Sequence, residues 1–123
     1  MCDCDYEMPS MYEASLRTAR KAHVCYECAR NIEKGERYES VAGVWNGEFS
    51  VYKTCPHCLS LREFVSKHVP CFCFGHGNIR EDAIETARGY GWETPGLLFG
   101  AWRREIAIRR AKNLTGRKRN EPT

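Results

Sequence analysis

Apolar side chains fall into a few short patterned runs. Tyr38, Val44, Trp45, Phe49, Val51 and Tyr52 concentrate β-prone aromatic and branched residues in two stretches, Arg37 to Trp45 and Phe49 to Lys53. Between the stretches lies Asn46-Gly47, the strongest short hairpin signal. Beyond them, Leu61, Phe64, Val65 and His68 recur at helical spacing and predict a helix. Upstream, Ser10-Met11-Tyr12-Glu13 fits a capping box and predicts a first helix of about ten residues. Arg17, Arg20 and Lys21 lie near that helix's end, where cations suit the dipole. Downstream, Asn78 and Glu81 start a further helix with Ile79, Ala83, Ala87 and Tyr90 on its apolar face and Gly89 and Gly91 at its end. Thr94-Pro95 opens a third, lined by Leu98, Trp102 and Ile106. From Leu114 onward too few apolar residues remain to pack, which predicts a frayed or disordered end. The divisions expected are thus a core over 1–77, a helical extension over 78–113 and a tail over 114–123.

Cysteine spacing changes the picture most. Cys25-Tyr26-Glu27-Cys28 and Cys55-Pro56-His57-Cys58 are two C-x-x-C pairs with 26 residues between them. Each pair sets two thiolates on one side of a turn, so together they supply four soft ligands for a tetrahedral Zn²⁺. Buried free thiols or disulfides are the alternatives. A thioredoxin-like redox pair would need a strand-to-helix junction of an α/β unit, which does not surround Cys25. A knuckle at Cys25–Cys28, then the hairpin, then a helix carrying Cys55 and Cys58 is the order of a treble-clef zinc finger. The fold class expected is therefore a small α+β zinc-bound domain, a treble clef with an N-terminal helix and two appended C-terminal helices. His23, two residues before Cys25, reads as a strand residue or a donor behind the ligands.

A second cysteine constellation is less specific. Cys2 and Cys4 form one C-x-C, Cys71 and Cys73 another, and His76 follows three residues later. Cys2, Cys4, Cys71 and Cys73 make a second candidate zinc site, with His76 as the substitute ligand. The alternative is that Cys71 and Cys73 are small buried apolar residues alternating with Phe72 and Phe74.

The chain has 123 residues, 42% of them hydrophobic. That suits one small domain for which a metal is a common stabiliser. No run approaches the length of a membrane span, and the N-terminus lacks the features of a secretory signal. A reducing cytoplasm is expected, where eight cysteines are better explained by metal than by disulfides. The formal charge of +3 is uneven: residues 102–123 carry eight Arg or Lys against Glu105 and Glu121, a net of +6, leaving −3 for residues 1–101. Arg103, Arg104, Arg109, Arg110, Lys112, Arg117, Lys118 and Arg119 are thus candidate polyanion contacts.

Residues 19–28, 32–38, 45–47 and 53–58, with the leading Cys-Asp-Cys and the later Cys-Phe-Cys-Phe-Gly-His, resemble small treble-clef zinc proteins encoded by bacteriophages and prophages. The resemblance spans about residues 2 to 82. It implies zinc ligation by Cys25, Cys28, Cys55 and Cys58 and a bacterial host cytoplasm, in a group largely without defined function. An enzyme of this fold would resemble the HNH nucleases. Residues 29–54, however, contain no histidine, and four thiolates leave zinc no open position. A non-catalytic accessory module is expected instead. Its partner would be a host protein, or a nucleoprotein complex of replication or defence, engaged through Trp45, Tyr90, Trp92 and Trp102. The alternative is DNA or RNA held by the basic helix and tail. A homodimer through Leu98, Trp102 and Ile106 is a further option, and no membrane association is expected.

Overall fold

The structure, a computed structural model, describes residues 9–90 and 94–120, the side chains of 114–120 excepted. Among the described residues, five strands precede three helices: β1 (Met11–Thr18), β2 (His23–Val24), β3 (Asn31–Ile32), β4 (Arg37–Trp45), β5 (Glu48–Thr54), α1 (Pro56–His68), α2 (Ile79–Gly89) and α3 (Leu97–Asn120). The fold is α+β, with antiparallel sheets ordered β1-β4-β5 and β2-β3. No described helix is long and apolar enough to cross a membrane.

β4 and β5 are joined as the sequence indicates. Asn46 and Gly47 both take positive φ, 53° and 78°, as the type I′ hairpin turn requires. A two-stranded hairpin is marginal by itself, and the third strand comes from an unexpected place. Met11–Thr18, expected to be helical, pairs along its whole length with β4, from Met11 opposite Val44 to Thr18 opposite Arg37. Ser10, the expected helix cap, extends this ladder by donating its N–H to the Val44 carbonyl (2.9 Å). The segment lacks a continuous apolar helical stripe, so pairing with the long β4 edge outweighs the local capping signal.

One face of the sheet packs on α1. Val41 is fully buried there, and Arg62 of α1 makes two 2.7 Å hydrogen bonds to Glu39 of β4. Trp45 lies over Gly43, where a Cβ would meet both the indole and the Met11 carbonyl oxygen at 2.7 Å. Trp45, named above as a partner contact, is half-buried, edge-on to Tyr12 and Tyr52. Phe49 is 69% exposed. Alternation puts it, opposite Val44, on the other face from Trp45.

The helices complete the core. Pro56 occupies the first turn of α1, and Leu61 and Val65 are buried along its inner face. At α2, Asn78 holds the cap position but makes no side-chain cap bond. Glu27 performs that task from the distant Cys25–Cys28 turn, accepting the N–H groups of Gly77 (2.5 Å) and Ile79 (2.9 Å). Burial of this carboxylate raises its pKa.

The inner stripe of α3 is Leu97, Ala101, Glu105 and Ile108, one register away from the expected Leu98, Trp102 and Ile106. Glu105, only 3% exposed, is held by Arg80 of α2, with Arg109 3.7 Å away. The helix also runs on to Asn120, where a disordered tail was expected. Extending an existing helix costs far less than starting one, and cations near a C-terminus favour the dipole.

At Gly100, α3 approaches α1 closely. An added Cβ would run into the Phe64 ring, over which the Arg104 guanidinium lies at 3.8 Å. Gly100→Ala gains about 1 kcal/mol of helix propensity but overpacks this contact by about 1–3 kcal/mol. We expect a net loss of stability, read as a lower midpoint in chemical denaturation of the metal-loaded protein.

Candidate metal centre

Local backbone geometry brings the four cysteines of the two C-x-x-C pairs together. β2 leads into a tight turn in which Ala29 N–H bonds the Cys25 carbonyl (2.9 Å) and Cys25 N–H bonds the Arg30 carbonyl (2.8 Å). Closing this turn puts Ala29 at φ 64°, a left-handed conformation usually left to glycine. Tyr26 N–H then docks the turn on β5 through the Lys53 carbonyl (2.8 Å). Cys55 follows β5 as the N-cap of α1, and Cys58 sits in that helix's first turn. The positive end of the α1 dipole therefore points at the sulfurs, which favours thiolates.

Cys25, Cys28, Cys55 and Cys58 are all buried, and their ligand atoms lie within 4.8 Å of one another. Cys25 Sγ is 3.8 Å from Cys58 Sγ, and Cys28 Sγ is 3.8 Å from Cys55 Sγ. A tetrahedron with metal–sulfur bonds of about 2.3 Å has edges of about 3.8 Å, so the cage already has the size of a four-coordinate metal site. Cys55 N–H also points at Cys25 Sγ at 3.3 Å, the kind of donor that stabilises a ligating thiolate. The set can hold one metal ion.

Crowding splits the four sulfurs electrostatically. Hydrogen bonding from Cys28 brings Cys25 down to about 7, and hydrogen bonds from Cys25 and Cys28 lower Cys55 as well. Contacts with the neighbouring sulfurs, together with burial, raise Cys28 and Cys58. Arg30 adds positive charge beside the cage. Burial opposes its charged form, but the Glu36 carboxylate and the Cys55 sulfur outweigh that and raise its pKa. Glu36 grips Arg30 with two bonds of 3.1 and 3.0 Å and also accepts Glu33 N–H (2.8 Å). Arg30 and Glu36 were not foreseen as part of the site. The signal available was a cation two residues after Cys28, with a carboxylate in the following turn.

The other candidate residues are placed as follows. His23 lies in β2 with Nδ1 3.1 Å from Lys53 Nζ, outside the cysteine cage. Cys71 and Cys73 are half-buried with their sulfurs 3.6 Å apart, and neither is a free thiol. Cys2 and Cys4 lie outside the described residues, as does Trp92. His76 joins no metal-binding cluster among the described residues. Its ring stacks on Tyr52, with centroids 4.8 Å apart, and its buried Nδ1 has no hydrogen-bond partner. Along α3, Arg103, Arg109, Arg110 and Lys112 are exposed. Arg104 is committed to Phe64 and the Gly100 carbonyl, and Trp102 is half-buried with Arg109 over its ring. Tyr90 packs against the core. Arg117, Lys118 and Arg119 fall on the α3 backbone, where side chains are not described.

Comparison with family models, with curated proteins and with solved structures yields no match.

Two outcomes follow from the cage. A ligating sulfur must be deprotonated, so metal competes with the protons on Cys28 and Cys58, while Cys25 ionises above about 7. Apparent metal affinity should fall steeply as pH is lowered through that value, measured by competition with a chromophoric chelator. Cys58→Ser should abolish tight metal binding and cooperative unfolding together. At the strained position, Ala29→Gly should retain metal and raise stability by about 1 kcal/mol, read from the denaturation midpoint.

Proposed function

We propose that this chain is a non-catalytic binding module stabilised by structural zinc, and that its partner is a protein. The observation that carries the first half is the closed cage. Four buried sulfurs at tetrahedral spacing satisfy a metal completely and leave no position for substrate or water. An all-sulfur tetrahedral set selects zinc or iron, and zinc is our assignment. Turn with Cys25 and Cys28, β4–β5 hairpin, and α1 with Cys55 and Cys58 follow one another in treble-clef order.

The partner class is argued from the exposed face of the main sheet. Met11 and Phe49 flank Val44 across the three strands, and Val51 lies beside Ala42. Met11 and Phe49 are 68% and 69% exposed, and Val51 is 45% exposed. A contiguous apolar patch of this kind fits a protein surface better than a phosphate backbone. The resemblance to phage-encoded zinc proteins makes a bacterial host protein or complex the natural class, with the chain as an accessory factor in the cytoplasm.

One feature favours nucleic acid as a second reading. Beyond Ile108, the last residue found buried among the described side chains of α3, the helix continues for twelve residues. At 1.5 Å per residue that is about 18 Å, bearing six Arg or Lys between Arg109 and Arg119.

Both readings are tested with zinc-loaded protein. Binding to duplex and single-stranded DNA and RNA is measured over a range of salt, with and without residues 114–123. Retention of host proteins is measured for the natural chain and for Phe49→Ser. We expect a host protein whose retention is lost in Phe49→Ser and weak, non-selective nucleic-acid binding. Tight binding that falls steeply with salt and weakens on truncation would transfer the function to nucleic acid.

A further inference from the structure

β1 is an unusual edge strand. It has eight residues, seven of them exposed and only Ser15 half-buried, so its side chains are open on both faces of the sheet. Among the described residues nothing pairs with its outer edge, since the sheet order ends at β1. The other edge, β5, is partly closed by the bond from Tyr26 N–H to the Lys53 carbonyl. Long open edges of this kind template further strands unless they are blocked.

The orientation of the free backbone groups can be derived. Ala19 N–H donates to the Glu36 carbonyl (2.8 Å), one step beyond the Thr18–Arg37 pair. Antiparallel pairs alternate between hydrogen-bonded and non-hydrogen-bonded. Odd-numbered residues of β1 therefore bond β4, and Tyr12, Ala14, Leu16 and Thr18 turn their N–H and C=O groups outward. The charged side chains have a matching order. Glu13 and Arg17 are two residues either side of Ser15 and point to the same face, and Arg17 Nε already reaches the Ser15 hydroxyl at 3.0 Å.

From this we infer that β1 pairs antiparallel with β1 of a second copy of this chain, about a two-fold axis at Ser15. In that register Ala14 lies opposite Leu16 of the second copy, and Tyr12 opposite its Thr18. All four residues present outward groups, so these become hydrogen-bonded pairs. Glu13 falls opposite Arg17 of the second copy, and Arg17 opposite its Glu13, in the close non-hydrogen-bonded positions where cross-strand charge pairs interact most strongly. The strand is thus complementary to itself in charge and in backbone at once. Shifting the register until Glu13 meets Glu13, or Arg17 meets Arg17, opposes like charges, so the two side chains select one alignment. The result is an isologous interface and a continuous six-stranded sheet. It does not depend on which partner the module binds, and it uses the β1 edge in place of the α3 seam.

Sedimentation equilibrium of the zinc-loaded full chain tests the arrangement. The natural chain should reach a mass near twice 14.2 kDa. Glu13→Arg and Arg17→Glu should each weaken the dimer by about tenfold or more, because two cross-strand pairs become repulsive. The double exchange, carrying both substitutions, should restore it. Leu16→Pro removes an outward N–H without touching the β4 ladder, as an edge proline can, and should give monomer. Zinc content of one per chain in each variant verifies folding. A natural chain that stays monomeric, a dimer indifferent to the charge reversals, or a double exchange no better than the single variants would each overturn the inference.

Discussion

The structure hangs on the convergence of four sulfurs. Cys25 and Cys28 sit in a turn between two strands of two residues each, far too little β-structure to hold itself together. Cys55 and Cys58 stand at the entry to α1. A metal that joins these pairs ties the turn to the helix and closes the loop that contains the whole β4–β5 hairpin. Its free energy is then folding free energy, on the order of 10 kcal/mol for sites of this kind, comparable to the entire stability of an ordinary domain.

The remaining core is modest, and buried ion pairs knit its parts together. Arg62 to Glu39 joins α1 to β4, Arg80 to Glu105 joins α2 to α3, and Arg30 to Glu36 braces the turn beside the cage. Such pairs add little net stability over an apolar replacement, yet losing one partner strands a buried charge. They make the packing of helices on sheet specific where apolar contacts among Ala83, Ala87 and Ala101 are too small to do so alone.

The sequence was most legible where a single physical requirement dictates residue type. Paired thiolates, a hairpin turn at positive φ and a proline in the first helical turn are local demands, and Cys25–Cys28, Asn46-Gly47 and Pro56 announced them. It was least legible where distant residues decide. Met11–Thr18 carries a respectable helix cap at Ser10, but the open edge of β4 captures it as a strand. The face of α3 was displaced by one residue because Glu105 is buried, and only its pairing with Arg80 from another helix makes that affordable. Arg30 and Glu27 escaped notice for the same reason: their partners are reached only after folding. Cys2 and Cys4 lie outside the described residues.

Glu27 has a consequence of its own. It stands between the two sulfurs of the first pair, yet its carboxylate holds the N–H groups of Gly77 and Ile79 at the start of α2. The same four-residue turn that carries two sulfurs of the cage therefore also latches a helix some fifty residues away in sequence. Linkage between two such events is reciprocal. A molecule that grasped or released α2 would change the hold of the cage on a bound metal by the same free energy with which the metal would change the hold on that molecule, which makes α2 a remote handle on the site.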